Sequence, residues 1–163
     1  PALTGVGASW WDEQARGVFC GLSRGTRREH LVRAAFESVA YQIADVIGIL
    51  RQQPGFALQG LMADGGPSRN DWLMQFQADL LGCPVWRSNT AELSALGAAL
   101  MAMRSLWGTT DRQLAALLPQ HDEFKPDMQR HRQLQENYSA WRQAVQRTLW
   151  RPQASSLMTG EQP

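Results

Sequence analysis

An α/β fold follows from three features of the 163-residue sequence. Short apolar runs alternate with longer segments whose apolar residues recur every three to four positions, the pattern of strands joined by helices. One junction, Leu61-Met62-Ala63-Asp64-Gly65-Gly66-Pro67-Ser68-Arg69-Asn70-Asp71-Trp72, reads as strand, tight turn and helix. The alternation calls for at least three parallel strand-to-helix units, and in open sheets of this kind ligands bind at the carboxyl ends of strands, where Asp64 to Asn70 fall.

Residues 1 to 17 are rich in glycine and tryptophan and read as a packed irregular loop around Trp10-Trp11-Asp12. Val18-Phe19-Cys20-Gly21-Leu22, bounded by Gly17 and Ser23, is the first expected strand. Thr26 followed by Glu29 has the form of a capping box at the start of a long helix running to about Gln53. On that helix Leu31, Ala35, Val39, Val46 and Leu50 share a face, which Ala34, Phe36, Ala40, Tyr41 and Ile43 widen. A helix apolar around most of its girth is buried, so this one is expected to be the central helix.

Pro54-Gly55 ends it, and Ala57 to Ala63 forms a second strand leading to Asp64. Beyond the glycine turn, Trp72, Leu73, Phe76 and Leu80 recur at helical spacing up to Gly82, which stands at the position of a C-terminal cap. Cys83-Pro84-Val85-Trp86-Arg87 reads as a third strand, with Pro84 marking either an edge or the strand's first residue. Ala95-Leu96-Gly97-Ala98-Ala99-Leu100-Met101-Ala102 is a helix whose small residues permit close approach of a neighbour. Thr110-Asp111 cap a short helix through Leu118, Pro119 stops it, and Pro126 sits in the first turn of a last long helix. That helix carries Met128, His131, Leu134, Tyr138, Trp141, Val145 and Leu149 in a single stripe, so it lies on the outside with one face down. Residues 151–163 have the composition of a disordered tail.

Composition narrows the function. The length is enough for one domain with its own core, and the hydrophobic and charged fractions of 44% and 19% are those of a globular protein. A net charge of +1 offers no electrostatic case for nucleic acid or an anionic membrane. Cys20 and Cys83 are isolated, fit no metal spacing and read as buried small hydrophobes in a reducing compartment. His30, His121 and His131 are equally dispersed, so no metal ligands are assigned. No apolar run is long enough to span a membrane and no signal peptide opens the chain, so a soluble, cytoplasmic protein is expected. The sequence starts at Pro1 without an initiator methionine, and a segment of something longer is expected.

The glycine turn carries the chemistry. Two successive glycines let backbone N–H groups approach a ligand with no Cβ in the way, and the following helix points the positive end of its dipole at the same crevice. That arrangement cradles a phosphate. The same glycines also suit a plain strand-to-helix turn.

Four motifs extend this reading by resemblance. Thr4-Gly5-Val6-Gly7-Ala8-Ser9-Trp10-Trp11-Asp12, followed by Ala15-Arg16-Gly17, resembles the Gly-Leu-Gly-Ala-Pro-Tyr-Trp-Asp segment of glycerol kinases, with Ser9 and Trp11 in place of proline and tyrosine. Gly17-x-Phe19-x-Gly21-Leu22, a seven-residue spacer, and His30-Leu31-x-x-Ala34-Ala35-Phe36-Glu37 resemble the second signature of the FGGY family of carbohydrate kinases. Asp64-Gly65-Gly66-x-x-x-Asn70 with Leu73-Met74-Gln75-Phe76-Gln77-Ala78-Asp79, and then Ser94-Ala95-Leu96-Gly97-Ala98-Ala99, are similar to that family's ATP-side motifs. They occur in the family's order across roughly residues 1 to 107.

The resemblance implies two actin-like domains of ribonuclease-H-like topology that close around ATP and substrate. Residues 1–150 would be an incomplete C-terminal, nucleotide-side domain with a C-terminal helical extension. By motif position Gly65 and Gly66 meet the phosphates of ATP or ADP, a contact that tolerates no side chain at Gly66. Asn70 meets the adenine end, where an amide donates and accepts at once; as an alternative it satisfies backbone donors at a helix start. Asp64 either orients the turn or stands near Mg2+ through water. The catalytic base and most contacts to a polyol or sugar lie in the N-terminal domain, so no catalytic residue is assigned here and the fragment alone is expected to be inactive. Homo-oligomers are expected of the full-length protein. Two other readings remain: a stand-alone nucleotide-binding or assembly module, with the stripe from Met128 to Leu149 as docking face, and a xylulose or erythritol kinase of the same family.

Overall fold

The computed structural model describes residue 2, residues 4–90 and residues 92–149; the tail assigned to 151–163 lies outside the described residues. The elements run α1 (Arg28–Leu50), β1 (Leu61–Ala63), a 3-10 turn (Gly66–Arg69), α2 (Asp71–Leu81), β2 (Val85–Ser88), α3 (Leu93–Trp107), α4 (Asp111–Ala115), β3 (His121–Phe124) and α5 (Met128–Leu149). The sheet has the order β1-β2-β3. β1 pairs parallel to β2, with Leu61 opposite Val85, and β2 pairs antiparallel to β3, with Val85 opposite Phe124. One parallel pair is therefore formed among the described strands, not the three parallel units expected.

The central helix is α2 rather than α1. Leu73, Met74, Phe76, Gln77, Ala78, Asp79, Leu80 and Leu81 are all buried, because α2 packs against α1 and α5 and also against β2 and β3. Its ends are set locally: Asn70 caps the start, and Gly82 closes it in the left-handed region at φ 67°. A Cβ at Gly82 would also stand 3.0 Å from the His131 ring. α1 buries Ser38, Ala40, Tyr41, Ala44, Asp45 and Ile47, while Val32, Phe36, Val39, Ile43 and Val46 on its other sides are exposed. Its girth is apolar, yet only one side has partners among the described elements.

From His131 onward the stripe on α5 faces inward as its spacing requires, whereas Met128 at the helix start is exposed. Leu134 and Val145 are buried, and Tyr138 and Trp141 pack on the core, Tyr138 stacked at 5.9 Å and Trp141 tilted at 5.5 Å from the Tyr41 ring. The helix starts two residues after Pro126, and Asp127 is its cap: Oδ1 accepts the N–H groups of Gln129 and Arg130 at 2.8 and 3.2 Å. Buried Asp79 joins this start to α2, accepting the Asp127 N–H at 2.9 Å and pairing with Arg130 at 3.2 Å.

Other expectations give way to tertiary context. Val18 to Leu22 forms no strand, and Val18, Phe19 and Leu22 are exposed, as is Cys20; Cys83 is buried as expected. A strand needs a partner for its N–H and C=O groups, and none of β1, β2 and β3 pairs with this run. The cap position of α1 is Arg27, so Thr26 stands one residue too early to fill it and its hydroxyl accepts the Ser23 N–H at 2.9 Å; His30 Nδ1 accepts the Arg27 N–H at 3.1 Å. β1 covers only the last three residues of the expected strand. Its ladder cannot extend back past Pro84, which has no N–H to give, although the Pro84 carbonyl accepts from Leu61 at 2.9 Å. Pro84 thus marks the start of β2, the middle strand.

α3 forms where its small residues predict and ends at Gly108, but none of its residues is buried. α4 is shorter than expected, with Thr110 and Gln113 closing its first turn. β3 forms without a strand pattern in its sequence: His-Asp-Glu-Phe has no apolar alternation, and it is a strand because β2 offers it an edge.

Candidate functional site

At the carboxyl end of β1 the chain turns on Asp64 and Gly65. Gly65 takes φ 88° and ψ −178°, a conformation that a residue with a Cβ adopts only under strain. Gly66 then opens the 3-10 turn with Pro67 in its first positions. The Gly65 carbonyl accepts both the Ser68 hydroxyl at 2.7 Å and the Ser68 N–H at 3.2 Å, and Pro67 O accepts the Asn70 N–H at 3.2 Å. The N–H groups of Gly65 and Gly66 come before these bonds, where a helical turn has no acceptors of its own to offer.

The two glycines are not equivalent. Gly65 needs its freedom for the turn itself. Gly66 lies outside the left-handed region, and a Cβ built on it meets nothing within 4 Å. The fold of the chain does not require glycine there.

Asn70 adopts the helix-cap role: its Oδ1 accepts the Leu73 N–H at 3.1 Å. That bond uses the acceptor of the side-chain amide and leaves its NH2 group as a donor. Asp64 is exposed and, among the described residues, accepts no hydrogen bond, so the turn is oriented by Ser68 instead. Sequence reasoning thus placed all four residues Asp64, Gly65, Gly66 and Asn70 on one strand-to-helix turn, and the structure keeps them there.

It missed Arg87. This residue, near the end of β2, donates from Nη1 to the Ser68 carbonyl at 3.2 Å and to Asp71 at 2.6 Å. Its Nη2 and Nε reach Asp122 on β3 at 2.6 and 3.2 Å, and the guanidinium lies 5.2 Å from the centre of the Phe124 ring. The Arg87 hydrogen bond holds the Asp122 carboxyl below its ordinary pKa, with the guanidinium charge acting in the same direction. The available signal is an arginine at the carboxyl end of the next expected strand, which parallel pairing sets beside the end of β1 where the glycine turn begins.

The groups around the turn are few. Two residues past Asn70, Trp72 lines a shallow groove with Arg28, Val32, Arg33 and Phe36, and the Arg33 guanidinium lies 5.9 Å from its ring centre. A larger cavity of about 590 Å3, lined by Val6, Trp10, Phe19, Tyr41 and Trp141 among others, includes none of the residues from Asp64 to Asn70. Among the described residues, no three His, Cys, Asp or Glu side chains are grouped to hold a metal, and no helix is long and apolar enough to cross a membrane.

The profile of the FGGY family of carbohydrate kinases, C-terminal domain, matches residues 1–106. The chain belongs to the FGGY family. This FGGY domain is 46% identical over 155 residues to the apulose kinase of Pectobacterium atrosepticum, covering 94% of this chain and 31% of that protein. It is 44% identical over 150 residues to glycerol kinase 1 of Clostridium tetani, covering 91% of this chain and 30% of that one. Among solved structures it superposes on Plasmodium falciparum glycerol kinase with ADP at a TM-score of 0.78 and 30% identity, covering 93% of this chain and 30% of that one. The xylulose kinase of Lactobacillus acidophilus gives a TM-score of 0.79 at 22% identity, a likeness of fold, over 91% of this chain and 30% of that one. The FGGY domain therefore has the α/β, actin-like ATPase architecture in part, and the chain spans about 30% of the length of the curated relatives it matches.

Proposed function

We propose that this FGGY domain is the nucleotide-side part of an ATP-dependent kinase that phosphorylates a terminal hydroxyl of glycerol or a related polyol or sugar, and that the turn from Asp64 to Asn70 holds the nucleotide. Gly66 carries the proposal: the turn keeps a glycine that the free fold does not require, at an open position beside a helix start. A ligand approaching the backbone closely supplies the missing reason.

In this reading the N–H groups of Gly65 and Gly66 donate to phosphate oxygens, and the dipole of α2 favours the negative charge. Asn70 caps α2 with its oxygen and turns its NH2 group to a base acceptor, so the helix cap and the ligand contact use different atoms of one amide. Asp64, exposed and free of hydrogen bonds, would repel bare phosphates and would be the residue to hold Mg2+ through water; the metal would supply neutralisation of the charge on the transferring group. The base that accepts the substrate proton and the main polyol contacts belong to parts of the protein beyond this chain, so the isolated domain binds without catalysing.

The 46% identity to an apulose kinase favours a sugar as much as glycerol for the longer protein, because the glycerol kinases stand at similar identity. Turnover of glycerol and of apulose by that protein, compared side by side, separates the two. The nucleotide reading is tested by calorimetric titration of Mg-ADP and Mg-ATP into the chain and its Gly66→Val variant. Loss of binding with unchanged thermal stability is expected; equal binding by the variant overturns the assignment.

A further inference from the structure

We propose that Arg87 is a positioning residue for the nucleotide turn, clamping Gly65–Asn70 between the end of β2 and the charged strand β3. The proposal rests on the nucleotide reading of that turn for its functional meaning, and on geometry for the clamp itself.

The guanidinium serves three separate segments. Nη1 holds the Ser68 carbonyl and the Asp71 carboxylate, one on the 3-10 turn and the other in the first turn of α2. Nη2 and Nε hold Asp122 on the neighbouring strand. Ser68 in turn donates its hydroxyl to the Gly65 carbonyl, so two hydrogen bonds separate Arg87 from the glycine whose backbone defines the crevice. The Arg87 side chain is 18% exposed, whereas its partners Asp71 and Asp122 are 76% and 47% exposed. The cation is thus the sheltered member of the cluster, and the aspartates are its open rim.

This arrangement explains β3. A four-residue strand of sequence His-Asp-Glu-Phe adds little to the core; what it brings is Asp122 to one edge of the fork and Phe124 to the face of the guanidinium. An ammonium cannot take the place of the fork, because lysine offers a point charge with no planar pair of donors. The ion pair also keeps Asp71 from presenting an unbalanced negative charge at the start of α2, next to phosphates.

The test compares wild type with Arg87→Lys, Arg87→Met and Asp122→Asn, reading amide hydrogen exchange over residues 64–70, overall melting and Mg-ADP affinity. Expected are faster exchange confined to the turn and an affinity loss of about tenfold, the net worth of one lost hydrogen bond, with Arg87→Lys failing to rescue either. Unchanged exchange and affinity in folded Arg87→Lys and Arg87→Met overturn the clamp. If an Arg87 variant does not fold, Asp122→Asn, which leaves the Ser68 and Asp71 contacts in place, decides by the same readouts: intermediate changes support it and wild-type values overturn it. Absence of Mg-ADP binding by wild type counts against the nucleotide reading alone; turn exchange then judges the clamp, faster in the variants supporting it and unchanged overturning it.

Discussion

Trp10 donates its indole N–H to the buried carboxylate of Asp45 at 2.7 Å, tying the N-terminal loop to the C-terminal half of α1. The same carboxylate accepts the Tyr138 hydroxyl and pairs with Arg142 at 3.4 Å, and the Arg142 guanidinium lies 5.8 Å from the Trp10 ring centre. Burial foremost, and then the bond to Asp45, push the Tyr138 phenol above its ordinary pKa, so it stays a donor. One side chain therefore joins three segments far apart in sequence. Asp45→Ala leaves those donors without their acceptor and is expected to destabilise the chain by about 2–3 kcal/mol, read from the urea midpoint. A change under a few tenths would show that the loop is held by other contacts.

The central place of α2 gives a sharper contrast. Phe76 on α2 is fully buried, while Phe36 on α1 is 39% exposed. Phe76→Ala is expected to cost about 3–5 kcal/mol, and Phe36→Ala under about 1 kcal/mol. Equal losses in denaturant titrations would restore α1 to the position its apolar girth suggested.

At Asn70 two roles separate by substitution. Asn70→Ala removes the cap and is expected to cost about 1 kcal/mol, together with nucleotide binding. Asn70→Asp keeps an acceptor for the Leu73 N–H, so stability is retained, but the carboxylate has no donor for a base and adds negative charge. Full Mg-ADP affinity in Asn70→Asp would remove this residue from the proposed site.

The Arg87–Asp122 pair has a pH signature. Because the folded-state pKa of Asp122 is depressed, first by the Arg87 hydrogen bond, the folded chain binds fewer protons than the unfolded chain between the two pKa values. The stabilisation is present above the unfolded value, about 3.9, and is lost as pH falls through the lower folded value. Urea midpoints of wild type and Asp122→Asn, followed from pH 6 to pH 2, are expected to differ at the upper end and converge at the lower. A constant gap would show that the ion pair is not its source.

What the sequence determined by itself is the chemistry that lies within about ten residues. The Asp64-Gly65-Gly66 turn, the Asn70 start and Gly82 stop of α2, and the stripe from Leu134 to Val145 are all local, since caps, left-handed glycines and helical periodicity need no distant partner. Tertiary structure decided everything that depends on who stands opposite. Val18 to Leu22 has a strand's composition and no strand to pair with, whereas His121 to Phe124 has a poor one and pairs with β2. α1 and α2 are both apolar, and only the number of elements around each determines which is buried. Arg87 became legible last, because its meaning lies in Ser68, Asp71 and Asp122, brought to it from the turn before it and the strand after it. Periodicity is a property of one segment; pairing and burial are properties of at least two.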